Sequence, residues 1–399
     1  MANAKKCDRC GKLYEIPRES HKIGVSRDTN KSGYKFMDLC PDCQSSLEDW
    51  IENKEAKEPA APIYGVSGLT DKSTALTRTD DAVGLSFEID RSSGAISSDF
   101  NDVFPWNVAE VVNNDAGKFV SFPEMYFRIG TNAAGAMTDV AVSAQPSGSG
   151  NWYRVAPFMY GCYGASINED KMRSVSGVER AGSRTRKEFR NLAFSTGNGY
   201  IPIDLYHRNV LILLWWIEFA TKDSRSIMTG RIYNSGTGRG CSRRPCGGTD
   251  GVPTPSGFEP KYGQMRYHFI EDFIGNMWEM VDGICTTGVG EHDYVTADPT
   301  KFSETIDGKN ALPCVNPSNG VVAAYGWDPD NPFLFMPIDT VDNCDTYFCN
   351  YAFHYSGNPV MLAGAGSDSS CEITGLLCVD FTDASNNDVY CGSRLLKIS

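Results

Sequence analysis

Basic residues are scarce in this sequence, and none of them form a long block. Lys and Arg together number 37 against 50 Asp and Glu, which gives a formal net charge of −13 at pH 7. A chain with this charge balance repels a phosphate backbone, because no basic patch offsets the acidic excess. We therefore expect no nucleic-acid partner.

Long hydrophobic runs are also missing. The longest, VLILLWWI at 210–217, lies between Arg208 and Glu218 and falls well short of the roughly 20 apolar residues that a membrane helix needs. It predicts a buried helix and no membrane insertion. The first ten residues, MANAKKCDRC, lack the apolar core and cleavage site of a secretory signal. We expect synthesis in the cytoplasm, where the 14 cysteines would be reduced thiols or metal ligands.

The common catalytic motifs are absent as well. The segment GTGRG at 236–240 lacks the last glycine of a dinucleotide fingerprint and favours a loop. There is no P-loop and no G-x-S-x-G elbow, and the five histidines never occur four residues apart. No catalytic residue is predicted from these patterns.

The strongest local motif is a pair of C-x-x-C knuckles near the N-terminus. CDRC and CPDC supply four thiolates with the spacing of a tetrahedral zinc site, from Cys7, Cys10, Cys40 and Cys43. A site filled by four protein ligands has no open position for substrate, so the Zn²⁺ would be structural. The alternative is redox-active or unrelated thiols. A short helix follows in SSLEDWIENKEAKE, and EPAAP ends it. We predict a zinc ribbon with a short helix over 1–53 and a linker over 54–62.

The remainder, 63–399, is rich in glycine and aromatic residues and poor in long periodic helices. Two helices are predicted, at 203–221 and around 189–197. Runs such as KFVSFPEMYFRI and GLLCVDF predict strands, and segments such as QPSGSGN predict loops. This pattern favours a loop-rich α+β domain.

One segment in this domain carries a family resemblance. EDFIGNMWEMVDG, at 271–283, resembles the Gly-Asn-x-Trp-Glu signature of the C-type lectin fold shared by formylglycine-generating enzymes and the variable proteins of diversity-generating retroelements. Segments 64–85, 161–177 and 213–231 are similar to phage and prophage tail-associated proteins of this type, and CGSRLL at 391–396 resembles the end of their last strand. The resemblance implies a C-type lectin (formylglycine-generating-enzyme-like) fold over 63–399, with Trp278 and Glu279 as buried scaffold residues.

The resemblance also implies a diversified region over about 344–391. In retroelement targets, Asn codons of the form AAY become NNY, which cannot encode Lys, Glu, Gln, Met or Trp. Only Met361 and Glu372 belong to these five types among the 48 residues of the window, against 56 among the other 351. Scattered cysteines would then be random outcomes of diversification. The alternative is an ordinary polar lectin surface with incidental thiols.

We expect the variable side chains to converge on one solvent-facing patch. The predicted ligand-binding residues are Tyr347, Phe348, Cys349, Asn350, Tyr351, His354, Ser367, Asp368, Ser369, Ser370, Cys371, Cys378, Asp380, Asn386, Asp388 and Tyr390. Gly375, Leu376, Leu377, Gly392 and Arg394 are predicted to hold the strands that present them.

The function implied by the resemblance is that of a phage or prophage tail-associated receptor-binding protein. Its partners would be a host cell-surface protein or glycan and other phage tail proteins, in a homo-oligomer that is trimeric by analogy. It would reside in the virion tail, or in the cytoplasm if the protein is cellular. The alternative is a formylglycine-generating-type copper oxidase acting on a cysteine peptide. That enzyme needs a nearby cysteine pair, whereas Cys371 and Cys378 lie seven residues apart. No calcium-binding loop is evident.

Overall fold

The computed structural model describes residues 60–228, 230, 245–260, 264–342, 347–357, 359–364 and 375–399, and the backbone of four short strands nearer the N-terminus. The chain divides into two units, Met1–Ala60 and Ala61–Ser399, and this division falls inside the predicted linker. The first unit contains β1 (Ala4–Lys6), β2 (Leu13–Glu15), β3 (Ile23–Val25) and β4 (Lys35–Met37). These strands form two antiparallel pairs, β1 with β2 and β3 with β4.

The four knuckle cysteines and the helix predicted after them lie outside the described residues. The zinc ribbon therefore stays a prediction.

The second unit is mostly β-sheet. Its first twelve strands are β5 (Ile63–Ser67), β6 (Thr77–Asp80), β7 (Phe87–Ile89), β8 (Ala95–Ser98), β9 (Glu110–Asn114), β10 (Gly117–Phe122), β11 (Met125–Thr131), β12 (Met137–Ser143), β13 (Trp152–Val155), β14 (Phe158–Gly164), β15 (Ser166–Asn168) and β16 (Lys171–Arg173). The later strands are β17 (Tyr200–Pro202), β18 (Ser256–Phe258), β19 (Met265–Tyr267), β20 (Ile270–Glu271), β21 (Trp278–Val281), β22 (Ile284–Thr286), β23 (His292–Val295), β24 (Asn310–Val315), β25 (Gly320–Asp328), β26 (Asn331–Val341), β27 (Tyr351–Ala352), β28 (Val360–Ala363), β29 (Val379–Thr382), β30 (Cys391–Gly392) and β31 (Arg394–Ile398).

These strands form several sheets. Three have five strands, in the orders β17-β31-β14-β10-β9, β13-β11-β12-β5-β6 and β20-β19-β18-β8-β7. A seven-stranded sheet has the order β26-β25-β27-β29-β28-β21-β30, and β22-β23-β24 and β15-β16 are smaller. The run KFVSFPEMYFRI supplies most of β10 and β11, as predicted.

Two α-helices occur in the described part of the chain, close to the two predicted positions. The first, α1, spans Arg186–Thr196 and begins with a capping box in which the Thr185 side chain and Glu188 satisfy each other's backbone N–H groups. The second, α2, spans Leu205–Phe219. Its N-cap, Asp204, accepts a hydrogen bond from the backbone N–H of His207 at 2.8 Å, and it ends at Ala220 in the left-handed region with φ 46°.

Helix α2 contains the longest apolar run, and all eight residues of that run are buried. A helix that is apolar on every side belongs in a protein core, which confirms the prediction of a buried helix. Among the described helices, none combines the length and apolarity that crossing a membrane requires. The unit Ala61–Ser399 is thus a loop-rich, mostly β domain built around one central helix.

Candidate ligand-binding groove

An open groove of about 340 Å³ lies at one end of the seven-stranded sheet. It is bounded by β21, β28, β29 and β30 and by the loop 383–390. We call it the β29 groove, and its lining residues are Trp278, Tyr355, Leu362, Asp380, Phe381, Thr382, Asn386, Asp388, Tyr390 and Cys391. Strand pairing brings these positions together, because β28 runs antiparallel to both β29 and β21 while β30 runs parallel to β21.

The loop beside the groove is ordered by its own polar side chains. Asp383 accepts from the N–H of Ser385 at 2.7 Å, Asn386 from Asp388 at 2.8 Å, and Asp388 from Tyr390 at 2.9 Å. Each of these bonds closes an Asx turn, in which a side-chain oxygen substitutes for a backbone acceptor. The sequence TDASNNDVY therefore forms successive tight turns that carry Asn386, Asp388 and Tyr390 along the rim of the groove.

A row of stacked aromatic rings leads to the groove. The ring centroids of Tyr351 and Phe353 are 4.2 Å apart at an interplanar angle of 29°, and those of Phe353 and Tyr355 are 6.3 Å apart at 12°. Alternate residues of an extended segment point to the same side, which aligns the three rings. Tyr355 is 42% exposed and lines the groove, whereas Tyr351 is half-buried at the other end of the row.

The groove is acidic. The Asp380 oxygen Oδ1 accepts from the N–H of Phe381 at 2.7 Å. Burial raises the pKa of the Asp380 carboxyl to about 6, while that hydrogen bond and the nearby His354 act in the opposite direction. Asp388 is exposed at the rim. Among the described residues, no lysine or arginine lines the groove, so the surface is electronegative when both carboxyls are ionised.

Trp278 and Glu279 take different places, although both were predicted to be buried scaffold residues. Glu279 is 2% exposed, and its Oε1 accepts from Arg180 Nη2 at 2.8 Å and from Arg394 Nε at 2.9 Å. The expectation that Glu279 is a buried scaffold residue is confirmed, and its partners are guanidinium groups. Trp278 is only partly buried and lines the groove. Adjacent residues of a strand face opposite sides of the sheet, so Trp278 faces the groove while Glu279 faces the buried cluster.

Five predicted ligand-binding residues are buried, which contradicts their assignment to a solvent-facing patch. They are Phe348, Cys349, Asn350, His354 and Cys378, and each is at most 3% exposed. The prediction was wrong for these residues because the window 344–391 contains core strands as well as surface, and residue type alone does not separate the two.

Phe348 and Asn350 show the physical reason. The Phe348 ring packs 5.5 Å from the ring of Trp216 and 4.9 Å from that of Tyr325, inside the main core. The Asn350 amide accepts from the N–H of Leu377 at 2.6 Å and donates to the carbonyl of Cys349 at 2.6 Å. Asn350 therefore joins two segments of the window and contributes to the scaffold.

His354 and Cys378 are also enclosed by the domain. His354 stacks on Phe381 at a centroid distance of 5.0 Å, and its backbone N–H donates to Asn319 Oδ1 at 2.7 Å. Burial raises the pKa of the Cys378 thiol well above its ordinary value. Neither side chain reaches the groove lining.

The structure brings four predicted ligand-binding residues together in the groove: Asp380, Asn386, Asp388 and Tyr390. Tyr347 and Tyr351 are half-buried and do not line it. Ser367, Asp368, Ser369, Ser370 and Cys371 lie outside the described residues. The predicted supports Gly375, Leu376, Leu377, Gly392 and Arg394 are all buried, as expected.

Sequence reasoning missed part of the lining. Tyr355, Phe381, Thr382, Leu362 and Cys391 all lie within the predicted window, so the window itself was the available signal. Trp278 was named only as scaffold, and its place beside residues more than a hundred positions away depends on the pairing of β21 with β30.

Comparison with known proteins adds little to this geometry. No family model matches the chain, and no curated protein matches it. The chain is a distant structural neighbour of PvdO from Pseudomonas aeruginosa, at 11% sequence identity and a TM-score of 0.34 over 73% of this chain and 98% of that chain. A TM-score below 0.5 carries no functional argument.

Proposed function

We propose that this protein is a receptor-binding protein associated with a phage or prophage tail, and that the β29 groove is its ligand-binding site. The observation that carries the proposal is the convergence of Asp380, Asn386, Asp388 and Tyr390 on one open groove. All four lie in the window 344–391, which was predicted to be variable. Surface loops held by a rigid scaffold are the usual place for binding residues.

The scaffold beneath the groove supports this role. Arg394 is fully buried and donates to Glu279, to the carbonyl of Gly161 at 3.0 Å and to that of Glu271 at 2.7 Å. A network of this kind fixes the strands under the groove independently of the side chains on its rim. Changes at the rim then leave the strands beneath it in place, while Asn386 and Asp388 order only the rim loop itself through their Asx turns.

The proposed variable positions are accordingly fewer than the window. We retain the rim residues Asn386, Asp388 and Tyr390 and the groove residue Asp380, and we exclude the five buried residues. The C-type lectin fold, the tail location, the oligomeric state and the host protein or glycan ligand belong to the same proposal and rest on the sequence resemblance. The proposed zinc ribbon at 1–53 would join this domain to other tail proteins.

The oxidase alternative has no described observation in its favour. Cys378 is completely buried, and burial raises the pKa of its thiol. Metal-binding and reactive cysteines depend on the thiolate, which a raised pKa disfavours.

The first prediction concerns Tyr390. Tyr390→Ala removes a half-buried ring from the groove and should weaken attachment of the full-length protein to its host cells by about 1–3 kcal/mol. The melting temperature should change little, since the ring lies at the surface. Attachment is measured by cell-binding titration with labelled protein.

Tyr153→Ala is the matched control, because Tyr153 is a partly buried surface tyrosine of β13, outside the groove. If both variants bind host cells as the unmodified protein does, the groove is not the receptor site.

A further inference from the structure

The β29 groove combines carboxylates with aromatic side chains that are partly exposed. Asp380 and Asp388 each commit Oδ1 to a backbone N–H, at 2.7 Å and 2.9 Å. Among the described residues, no hydrogen bond or ion pair occupies the second oxygen of either carboxylate, which leaves both available to a ligand. The backbone bonds hold the carboxylates in place without a bound cation.

Three aromatic side chains complete the surface. Trp278, Tyr355 and Tyr390 all line the groove, and each retains some exposure to solvent. The face of an aromatic ring carries the negative part of its quadrupole, so it attracts a cation that sits over it. Carboxylates and aromatic rings in one groove therefore favour the same sign of ligand charge.

We infer that the β29 groove binds an organic cation, and specifically the side-chain end of a lysine or arginine presented by a host-surface protein. This inference rests on the proposed receptor-binding function and names its ligand class. The carboxylates would form charge-assisted hydrogen bonds with an ammonium or guanidinium group, while the rings cover its methylene stem and cationic face. An anionic ligand would meet two like charges without a basic partner in the described lining.

A neutral sugar is the competing ligand, because aromatic rings and carboxylates also bind sugars. The donors available to sugar oxygens are few in the described groove. The Asn386 Nδ2 group already donates one of its two hydrogens to Thr382 Oγ1 at 2.6 Å. Its second hydrogen and the hydroxyl and indole groups are the remaining donors. The observations thus favour the cation, and the sugar becomes an outcome of the test.

Binding should depend on pH through Asp380. Its carboxyl ionises at about pH 6, so a cation should bind more tightly as pH rises from 5 to 7.5. The titratable groups around Asp380 are His354, Tyr355 and Cys378 beside it and Asp388 and Tyr390 in the same groove.

The test is ligand-observed NMR on the full chain with small probes. N-acetyl-lysine methylamide and N-acetyl-arginine methylamide represent the cationic side chains, and N-acetyl-norleucine methylamide is the neutral match for the lysine stem. Tetramethylammonium and methyl glucoside represent the other ligand sources. We expect both cationic amino-acid probes to bind at least about fivefold more tightly than the norleucine probe at pH 7.5, with a smaller ratio at pH 5.

A double variant and a single control variant test the groove carboxylates. The double variant carries Asp380→Asn and Asp388→Asn, and the control carries Asp383→Asn alone. Asparagine retains the Oδ1 acceptor at each site, so the turns and the fold should persist. The double variant should abolish the preference for cations, whereas Asp383→Asn should retain it, because Asp383 lies in the same loop without lining the groove. Equal losses in both variants would overturn the inference.

The remaining outcomes separate this inference from the proposed function. Binding of methyl glucoside alone, or of tetramethylammonium without the lysine and arginine probes, overturns the lysine or arginine assignment. If cationic probes fail to bind but Tyr390→Ala still reduces host attachment, the receptor-binding proposal stands and the ligand class is wrong. If the cationic probes bind and Tyr390→Ala leaves attachment unchanged, the cation site stands and the receptor-binding proposal fails.

Discussion

Residues of the same type in the groove region are buried or exposed according to the face of the structure on which they lie. Asn350 and Asn386 are the same residue type in the same window, yet Asn350 is 0% exposed and bonded to core segments, while Asn386 lines the groove. A buried amide must have partners, because leaving its groups unsatisfied costs free energy. Residue type alone therefore does not reveal whether such a residue belongs to the scaffold or to the binding surface.

The second prediction also belongs to this scale and concerns Asp380. Because burial raises its folded-state pKa to about 6, above the value of roughly 3.9 for an unperturbed carboxyl, the folded state binds the proton more tightly than the unfolded state. The stability that the protonated Asp380 carboxyl contributes to the folded state is therefore fully present below pH 4. It is lost as pH rises towards 6. Asp380→Asn should therefore be more stable than the unmodified protein at pH 7.5.

Differential scanning calorimetry from pH 4 to pH 7.5 measures this difference. The gain in melting temperature of Asp380→Asn should grow with pH and level off above pH 6, with Asp383→Asn as the control. If the gain in melting temperature instead decreases as pH rises, burial does not raise the pKa of the Asp380 carboxyl.

At the scale of secondary-structure elements, the decisive contacts join strands that are distant in sequence. Arg180, Glu279 and Arg394 meet in one buried cluster, with side chains 3% exposed or less. Glu279 lies on β21 and Arg394 on β31, so the cluster holds the groove's sheet against a neighbouring sheet. Breaking a buried ion pair is costly because the remaining charge stays buried without its partner.

The third prediction is that Glu279→Gln destabilises the domain strongly. Two buried guanidinium groups would lose their carboxylate, with an expected cost of about 3–5 kcal/mol in the free energy of unfolding. Urea denaturation followed by tryptophan fluorescence measures it.

Glu124→Gln is the control, since Glu124 forms an exposed pair with Arg154, and pairs of that kind contribute little. Similar denaturation midpoints for Glu279→Gln and the unmodified protein would contradict the structural role of the cluster.

At the scale of the whole molecule, the two units should respond differently to metal removal. The fourth prediction is that Cys7, Cys10, Cys40 and Cys43 bind one Zn²⁺. Because thiolate ligation couples metal binding to folding, a chelator should unfold 1–53 and leave the unit Ala61–Ser399 folded. Metal analysis of freshly purified, reduced protein gives the zinc content, and limited proteolysis with and without chelator reports on each unit.

The matched variant is Cys10→Ser, which should lose zinc and the protection of 1–53, while Cys246→Ser, at a buried cysteine of the second unit, should retain both. Zinc-free protein with an unchanged proteolysis pattern would refute the ribbon.

The sequence by itself determined the local features of this protein. The apolar run at 210–217 required a buried helix, and the composition of 63–399 indicated a loop-rich domain. The window 344–391 was predicted from the family resemblance together with its low content of five residue types, and it supplies most of the groove. These features depend on interactions between residues close in the chain, which propensity and periodicity describe well.

Only the tertiary structure decided which side chains of that window reach solvent. Strand pairing sets the register, and the register decides which of two adjacent residues faces the groove, as Trp278 and Glu279 show. The partners of Glu279 lie 99 and 115 positions away in the chain. No local pattern encodes such contacts, because they form only when the strands that carry them are packed together.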